Sequence, residues 1–275
     1  MFWQSIDLPY AIAGFIVGTL VGITGVGGGS LMTPILMLVF GVSPSTAVGT
    51  DLLFAAATKT IGSLVHGFNR TIDWRLVLRL ASGSLPGTLL ALAALSWLHM
   101  SEGGAGQLIT AVLALALFLT AGLLVGGDRI STAYAQRLGR LDEGTTRLLT
   151  VAVGAIVGVL VTFSSVGAGA IGVTALLLLY PRMPAARIVG SDIAHAVPLT
   201  LIAGLGHGMM GTVDLHRLVS LLAGSFPGIF FGSLVSPRIP NRLLRYVLAA
   251  VLVVVAAQMA INLMPPSGRS SLSPG

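Results

Sequence analysis

Thr24-Gly25-Val26-Gly27-Gly28-Gly29-Ser30 interrupts one apolar run, and Ser164-Ser165-Val166-Gly167-Ala168-Gly169-Ala170 interrupts another 140 positions later. Each cluster divides its run into two short arms, 9–24 with 30–40 and 147–163 with 170–180. Six other apolar stretches, at 45–66, 74–98, 105–126, 187–206, 216–236 and 243–264, reach about 20 residues, the length that crosses a bilayer's hydrocarbon. The arms are shorter, and at about 1.5 Å per residue they extend only partway through it.

Composition agrees with a lipid solvent. Of 275 residues, 55% are hydrophobic and 9% are charged, with a mean hydropathy of +0.95. A soluble domain carries about 25% charged residues to cover its surface. The absence of cysteine excludes disulfides, thiolate metal sites and cysteine catalysis. The net charge of +6 does not indicate nucleic acid, because the arginines sit singly or in short groups between apolar runs. Met1 to Tyr10 holds no Lys or Arg, so the first helix is expected to remain in the mature protein.

The similarity of the two halves continues on both sides of the breaks. Gly14-Phe15-Ile16-Val17-Gly18 matches Gly154-Ala155-Ile156-Val157-Gly158. After a one-residue shift, Val48-Gly49-Thr50-Asp51 matches Val189-Gly190-Ser191-Asp192, and His66-Gly67 matches His207-Gly208. Gly83-Ser84-Leu85-Pro86-Gly87 matches Gly224-Ser225-Phe226-Pro227-Gly228, and over 48–88 there are 15 identities in 41 positions without a gap. Shared apolar composition does not align Asp, His and Pro at one offset. The chain is a duplication.

Arginine placement sets the expected orientation. If each broken run crossed the membrane, the halves would be parallel and the arginines would divide nine to five between the two sides. If each is a hairpin returning to its own side, the halves are inverted and only Arg217 and Arg269 leave a group of twelve. Basic residues concentrate on the cytoplasmic side. The expectation is therefore an all-α polytopic membrane protein of two inverted repeats, each a re-entrant broken-helix hairpin plus three transmembrane helices. The first repeat covers 8–126, a cytoplasmic connecting loop 127–146, the second repeat 147–264 and a flexible tail 265–275. Both termini are expected in the periplasm, and the protein in the cell inner membrane.

Irregular backbone at membrane depth is tolerated where it is buried or lines a polar cavity. Two opposed hairpins would bring their glycine-rich tips together near the midplane, where transporters bind substrate. The second arm of each starts with N–H groups that have no intrahelical acceptor, and such helix starts attract anions. The expected substrate-binding residues are Thr24, Gly27, Gly28, Gly29, Ser30 and Lys59, with Ser164, Ser165, Gly167, Ala168, Gly169 and Ala170. Gly14, Gly18, Gly22, Gly154 and Gly158 read instead as helix-packing positions, and Gly14→Ala is expected to be milder than a change at a tip.

These motifs resemble the sulfite exporter TauE/SafE family of membrane permeases. The resemblance rests on Gly25 to Pro34 with the glycines before it, on Val48 to Asp51, and on the paired Gly-Ser-x-Pro-Gly. It covers about residues 10–265. The second copy departs from the pattern, with Ala168 and Ala170 where the first has Gly28 and Ser30. The resemblance implies transport of sulfite, sulfonates such as sulfoacetate, or related oxyanions across a bacterial inner membrane.

Lys59 is the only lysine. It reads equally as a fixed positive charge beside an anion and as a side chain reaching for the cytoplasmic headgroups. Asp51, Asp192 and His195 are candidates for coupling or gating, although each carboxylate could instead hold a hairpin tip through backbone donors. Asp73 and Asp214 read as helix N-caps. His66 and His207 are expected to satisfy last-turn carbonyls, and Pro86 and Pro227 to kink their helices.

The leading function is a secondary transporter of small anions, with a passive anion channel as the alternative. An intramembrane hydrolase built on Ser164 or Ser165 with His195 or His207 is disfavoured, since no such pair recurs in the first half. No Walker-type G-x-x-x-x-G-K is present. No enzyme activity, cofactor or metal is expected. The expected partners are a small anionic substrate and the lipid bilayer, not nucleic acid, and a homo-oligomer is compatible with the sequence.

Overall fold

The computed structural model describes residues 6–24, 29–100, 104–138, 141–235 and 241–263. These residues form ten α-helices and no strand: α1 (Leu8–Thr24), α2 (Gly29–Leu38), α3 (Pro44–Phe68), α4 (Trp74–Met100), α5 (Gly104–Leu138), α6 (Glu143–Ser164), α7 (Ala170–Leu179), α8 (Ala185–Met209), α9 (Leu215–Val235) and α10 (Asn241–Leu263). The chain is an all-α, multi-pass membrane protein. Six helices are long and apolar enough to cross a bilayer, namely α4, α5, α6, α8, α9 and α10.

Two of the expected bounds change. The run at 45–66 forms the 25-residue α3, which carries Asp51, Lys59 and His66 and is not among the six. In its place stands α6, expected as a short arm over 147–163. Asp142 caps it by accepting from Thr145 N at 3.0 Å and Thr145 Oγ1 at 2.6 Å, so the helix already starts at Glu143. Those bonds, from the Thr145 hydroxyl first and then from backbone, hold the Asp142 carboxyl below the ordinary carboxylate range. With 22 residues α6 is about 33 Å long, whereas α7 with 10 reaches about 15 Å. The connection between the halves is helical through Leu138 as a continuation of α5.

Each broken pair folds back on itself. The Tyr10 ring near the start of α1 stacks on Phe40 just past α2, with centroids 4.2 Å apart. In the second half, Thr150 Oγ1 near the start of α6 meets the Tyr180 hydroxyl just past α7 at 2.8 Å.

The halves interlock by exchange. α1 packs on α9, its counterpart α6 packs on α4, and α3 packs on its own counterpart α8. Glycines make the first two contacts close. A Cβ added at Gly14 or Gly18 would overlap the carbonyl oxygen of Leu221 or Ser225, and one at Gly154 or Gly158 that of Leu80 or Ser84. In the reverse direction Gly83 and Gly87 face the carbonyls of Val151 and Ala155, while Gly224 and Gly228 face those of Ala11 and Phe15. Every contact has its partner at the repeat offset. The packing reading of Gly14, Gly18, Gly22, Gly154 and Gly158 fits this geometry; the mild effect expected of Gly14→Ala does not, because backbone cannot move aside as a side chain can.

The exchange extends to polar contacts. Asp73 N donates to Ser191 Oγ at 2.8 Å and Asp214 N to Thr50 Oγ1 at 3.1 Å, so each half ties down a helix start of the other. Both aspartates also cap, since Asp73 Oδ1 accepts from Arg75 N and Leu76 N, and Asp214 Oδ1 from Arg217 N. α4 and α9 remain continuous helices through Pro86 and Pro227.

Candidate functional site

The second break is described in full. Helix α6 ends at Ser164 and is capped by Ser165, whose φ of 57° is left-handed. The first copy has Gly25 at this position, the residue that adopts that conformation without steric cost. Gly167 follows at φ 117° and turns the chain into α7. Ser164 Oγ donates to the carbonyls of Leu160 and Val166 and accepts from Val166 N, so its hydroxyl is committed to the loop. The N–H groups of Ile171 and Val173 find the Gly167 and Gly169 carbonyls, but those of Ala168, Gly169 and Ala170 have no acceptor among the described residues. Among the described residues these three donors, at the positive end of α7, are uncommitted. Ala168 is buried, while Gly169 and Ala170 are half-buried.

Of the first break, Gly27 and Gly28 lie outside the described residues. Thr24 is the last residue of α1, and Gly29 and Ser30 are the first of α2.

Beside the second tip lies a cluster of buried ionisable groups from α3 and α8. Asp51 Oδ2 accepts from Thr33 Oγ1 at 2.5 Å and from Thr33 N at 3.2 Å, which fastens α3 to the arm after the first break. Ser165 sits beside the same carboxyl group, yet among the described residues Asp51 Oδ1 and Ser165 Oγ each lack a partner of hydrogen-bond geometry. Asp192 occupies the equivalent place in the second half and presses its Oδ1 against Gly172 in the first turn of α7. Unlike Asp51, it accepts no hydrogen bond among the described residues.

Lys59 is 8% exposed, and its charge acts on Asp192, Asp51 and His195. Its side chain is buried with the cluster. His195 Nε2 meets Ser84 Oγ at 2.7 Å, while its Nδ1 is buried with no partner among the described residues. The chain therefore brings together Lys59, Asp51, Asp192, His195 and the Ser165 end of the second tip.

Two positions that sequence reading did not single out as polar partners take part. Thr33 follows the first glycine cluster and was read only as part of an arm. Ser84 lies in the paired Gly-Ser-x-Pro-Gly and was read only as part of a kink. His66 and His207 differ from expectation. Each ring Nδ1 bonds the threonine five residues on, Thr71 at 2.8 Å and Thr212 at 3.0 Å, and His207 Nε2 meets the Thr162 carbonyl at 3.1 Å. The hydroxyls of Thr71 and Thr212 serve the helix-end carbonyls instead, and His-x-x-x-x-Thr recurs in both halves as the readable signal.

Arginines gather away from this cluster. Arg79 pairs with Glu143 at 2.9 Å and joins Arg182, Arg187 and Tyr180 around a surface cavity of about 520 Å³. Arg217 pairs with Asp214 at 3.2 Å and lies over the Tyr10 ring.

Comparison with known proteins gives one consistent answer. A family profile described as sulfite exporter TauE/SafE matches residues 10–259. A "Probable membrane transporter protein YjnA" of Bacillus subtilis is 37% identical over 246 residues, 88% of this chain and 95% of that protein. A "Probable membrane transporter protein" of Xylella fastidiosa is 28% identical over 249 residues, 89% and 91% of the two chains. A further relative, "Probable membrane transporter protein MJ0441" of Methanocaldococcus jannaschii, is 24% identical over 266 residues, 91% and 94% of the two chains. No solved structure matches. With nearly its whole length covered, the chain belongs to the sulfite exporter TauE/SafE family and is a multi-pass membrane transporter.

Proposed function

We propose that the protein is a secondary transporter of small sulfur-containing anions, such as sulfite or sulfonates, which it holds at the two broken-helix tips. The observation that carries this reading is the row of N–H groups at Ala168, Gly169 and Ala170 that find no acceptor among the described residues, at a tip whose Ser165 adjoins Asp51, a carboxylate on which the charge of Lys59 acts. Free backbone donors at a helix start suit a tetrahedral oxyanion, and glycine permits its close approach. Duplication supplies the second tip, from Gly27 to Ser30. Saturable uptake with counterflow in proteoliposomes separates a carrier from an anion channel, for which flux would not saturate and counterflow would be absent.

Lys59 adds the fixed positive charge. Lys59→Met should weaken sulfite binding by about 1–3 kcal/mol, the scale of a charged hydrogen bond, and leave the protein folded in the membrane. Calorimetric titration of the purified protein measures this, and unchanged affinity would leave the helix end as the sole source of attraction.

The two repeats lie inverted in an inner membrane, with both termini periplasmic. The return of each hairpin to its own mouth and the gathering of Arg79, Arg182 and Arg187 on one face support this orientation. In intact cells, cysteine in place of Ser131 should resist an impermeant thiol reagent, while cysteine in place of Ser270 should react. The opposite labelling would reverse the topology.

A further inference from the structure

We propose that Asp192 is a proton-binding site that couples anion movement to a proton gradient; the coupling half of this statement rests on the anion-transport reading above. The starting point is a charge imbalance. Asp51, Asp192 and Lys59 are all buried, so two carboxylates share one ammonium. An unbalanced charge away from water is costly, and the cluster lowers that cost by taking up one positive charge.

The two carboxylates are not equivalent acceptors for it. Asp51 is fastened by the backbone and hydroxyl of Thr33, bonds that favour its ionised form. Asp192 has no hydrogen-bond donor among the described residues and faces a glycine, with Lys59 as its nearby cation. A metal cation would need several oxygen ligands there, whereas a proton needs only the carboxylate oxygen.

The surrounding ionisable groups fit the same role. On α3, Lys59 acts on Asp192 and also on Asp51; on α8 itself, His195 stands one turn along, with Nδ1 unpartnered among the described residues and Nε2 on Ser84 from α4. From α7 the neighbour is Gly172. Of the other ionisable residues of the packed helices, His66 of α3 faces Gly190 of α8 with its Nδ1 bonded to Thr71, while Arg75 and Arg79 of α4, Glu143 and Arg147 of α6, and Arg187 and His207 of α8 lie within two turns of a helix end.

The cluster also exists only once, although the chain is a duplication. Thr200 stands at the repeat position of Lys59, and Phe54 at that of His195. Ser225, the counterpart of Ser84, accordingly has a buried hydroxyl with no partner among the described residues. One proton per cycle follows from one cluster. When Asp192 binds the proton, Lys59 loses a nearby counter-charge and is available to the anion; when the proton leaves, the restored carboxylate competes for Lys59 and the anion is expelled. Proton and anion therefore travel together.

Two measurements on the full-length protein test this. In infrared difference spectra recorded across a pH titration without substrate, the parent should show a protonated-carboxyl C=O band that Asp192→Asn lacks and Asp51→Asn keeps. A band retained in folded Asp192→Asn would overturn the proton site, whatever the protein transports. In proteoliposomes with labelled sulfite and sulfoacetate as probes, a gradient of one pH unit should drive accumulation approaching tenfold, the limit for one proton per anion. Asp192→Asn should lose that accumulation and exchange substrate at a rate that no longer varies with pH; Asp192→Glu should recover part of the accumulation. Accumulation by Asp192→Asn equal to the parent's would overturn the coupling. A parent without counterflow of either probe would instead overturn the anion-transport reading, and the infrared result would still decide the proton site.

Discussion

Gly83→Ala and Gly224→Ala should each abolish the folded protein, and to the same degree. A Cβ at Gly83 would overlap the carbonyl of Val151, and one at Gly224 that of Ala11. These are the same contact in the two crossed helix pairs, α4 with α6 and α9 with α1. A carbonyl on a packed helix cannot rotate away, so the helices must separate, and overpacking of this kind costs at least about 1–3 kcal/mol at each site. Separation also loosens the neighbouring contacts at Gly87 and Gly228. Gly14→Ala belongs to the same class, since it meets the Leu221 carbonyl. Gly122→Ala is the control: nothing lies within 4 Å of its added Cβ, and alanine is the better helix former. Size-exclusion profiles of fluorescently tagged variants in detergent measure the outcome. A normal profile for either Gly83→Ala or Gly224→Ala would mean that the helices are not in backbone contact.

That symmetry was legible in the sequence because duplication leaves identical residues at one offset. The all-α class followed from run lengths, and the packing glycines from their spacing. What the repeat could not convey is where its two copies have diverged in surroundings. Asp51 and Asp192 read as equivalents, yet only Asp51 finds a threonine on the facing arm. The position aligned with Thr33 is Val173, which offers no hydroxyl. Lys59 read equally as a cavity residue and as a snorkelling one, because the choice depends on what the opposite half presents to it. That half presents Asp192 and His195. The extent of α6 was missed for a local reason, since the cap at Asp142 lies outside the apolar run that marked the helix.

Gly169→Val should abolish anion binding and transport while the protein remains folded. The backbone at Gly169 has φ −80° and ψ −69°, a right-handed helical conformation open to any residue, so valine adds no strain. Its consequence lies in the space beside the chain. The N–H groups of Ala168, Gly169 and Ala170 have no acceptor among the described residues, and an anion must come within about 3 Å of such donors to bond them. A branched side chain at the middle of the three would occupy that approach. Gly169→Ala, which adds one carbon, should retain partial affinity, so a graded loss from glycine to alanine to valine distinguishes blocked approach from unfolding. Titration of each variant with sulfite, beside its detergent elution profile, measures both quantities. Parent-like affinity in folded Gly169→Val would remove the second tip from the site and leave Lys59 and its carboxylates as the place to look.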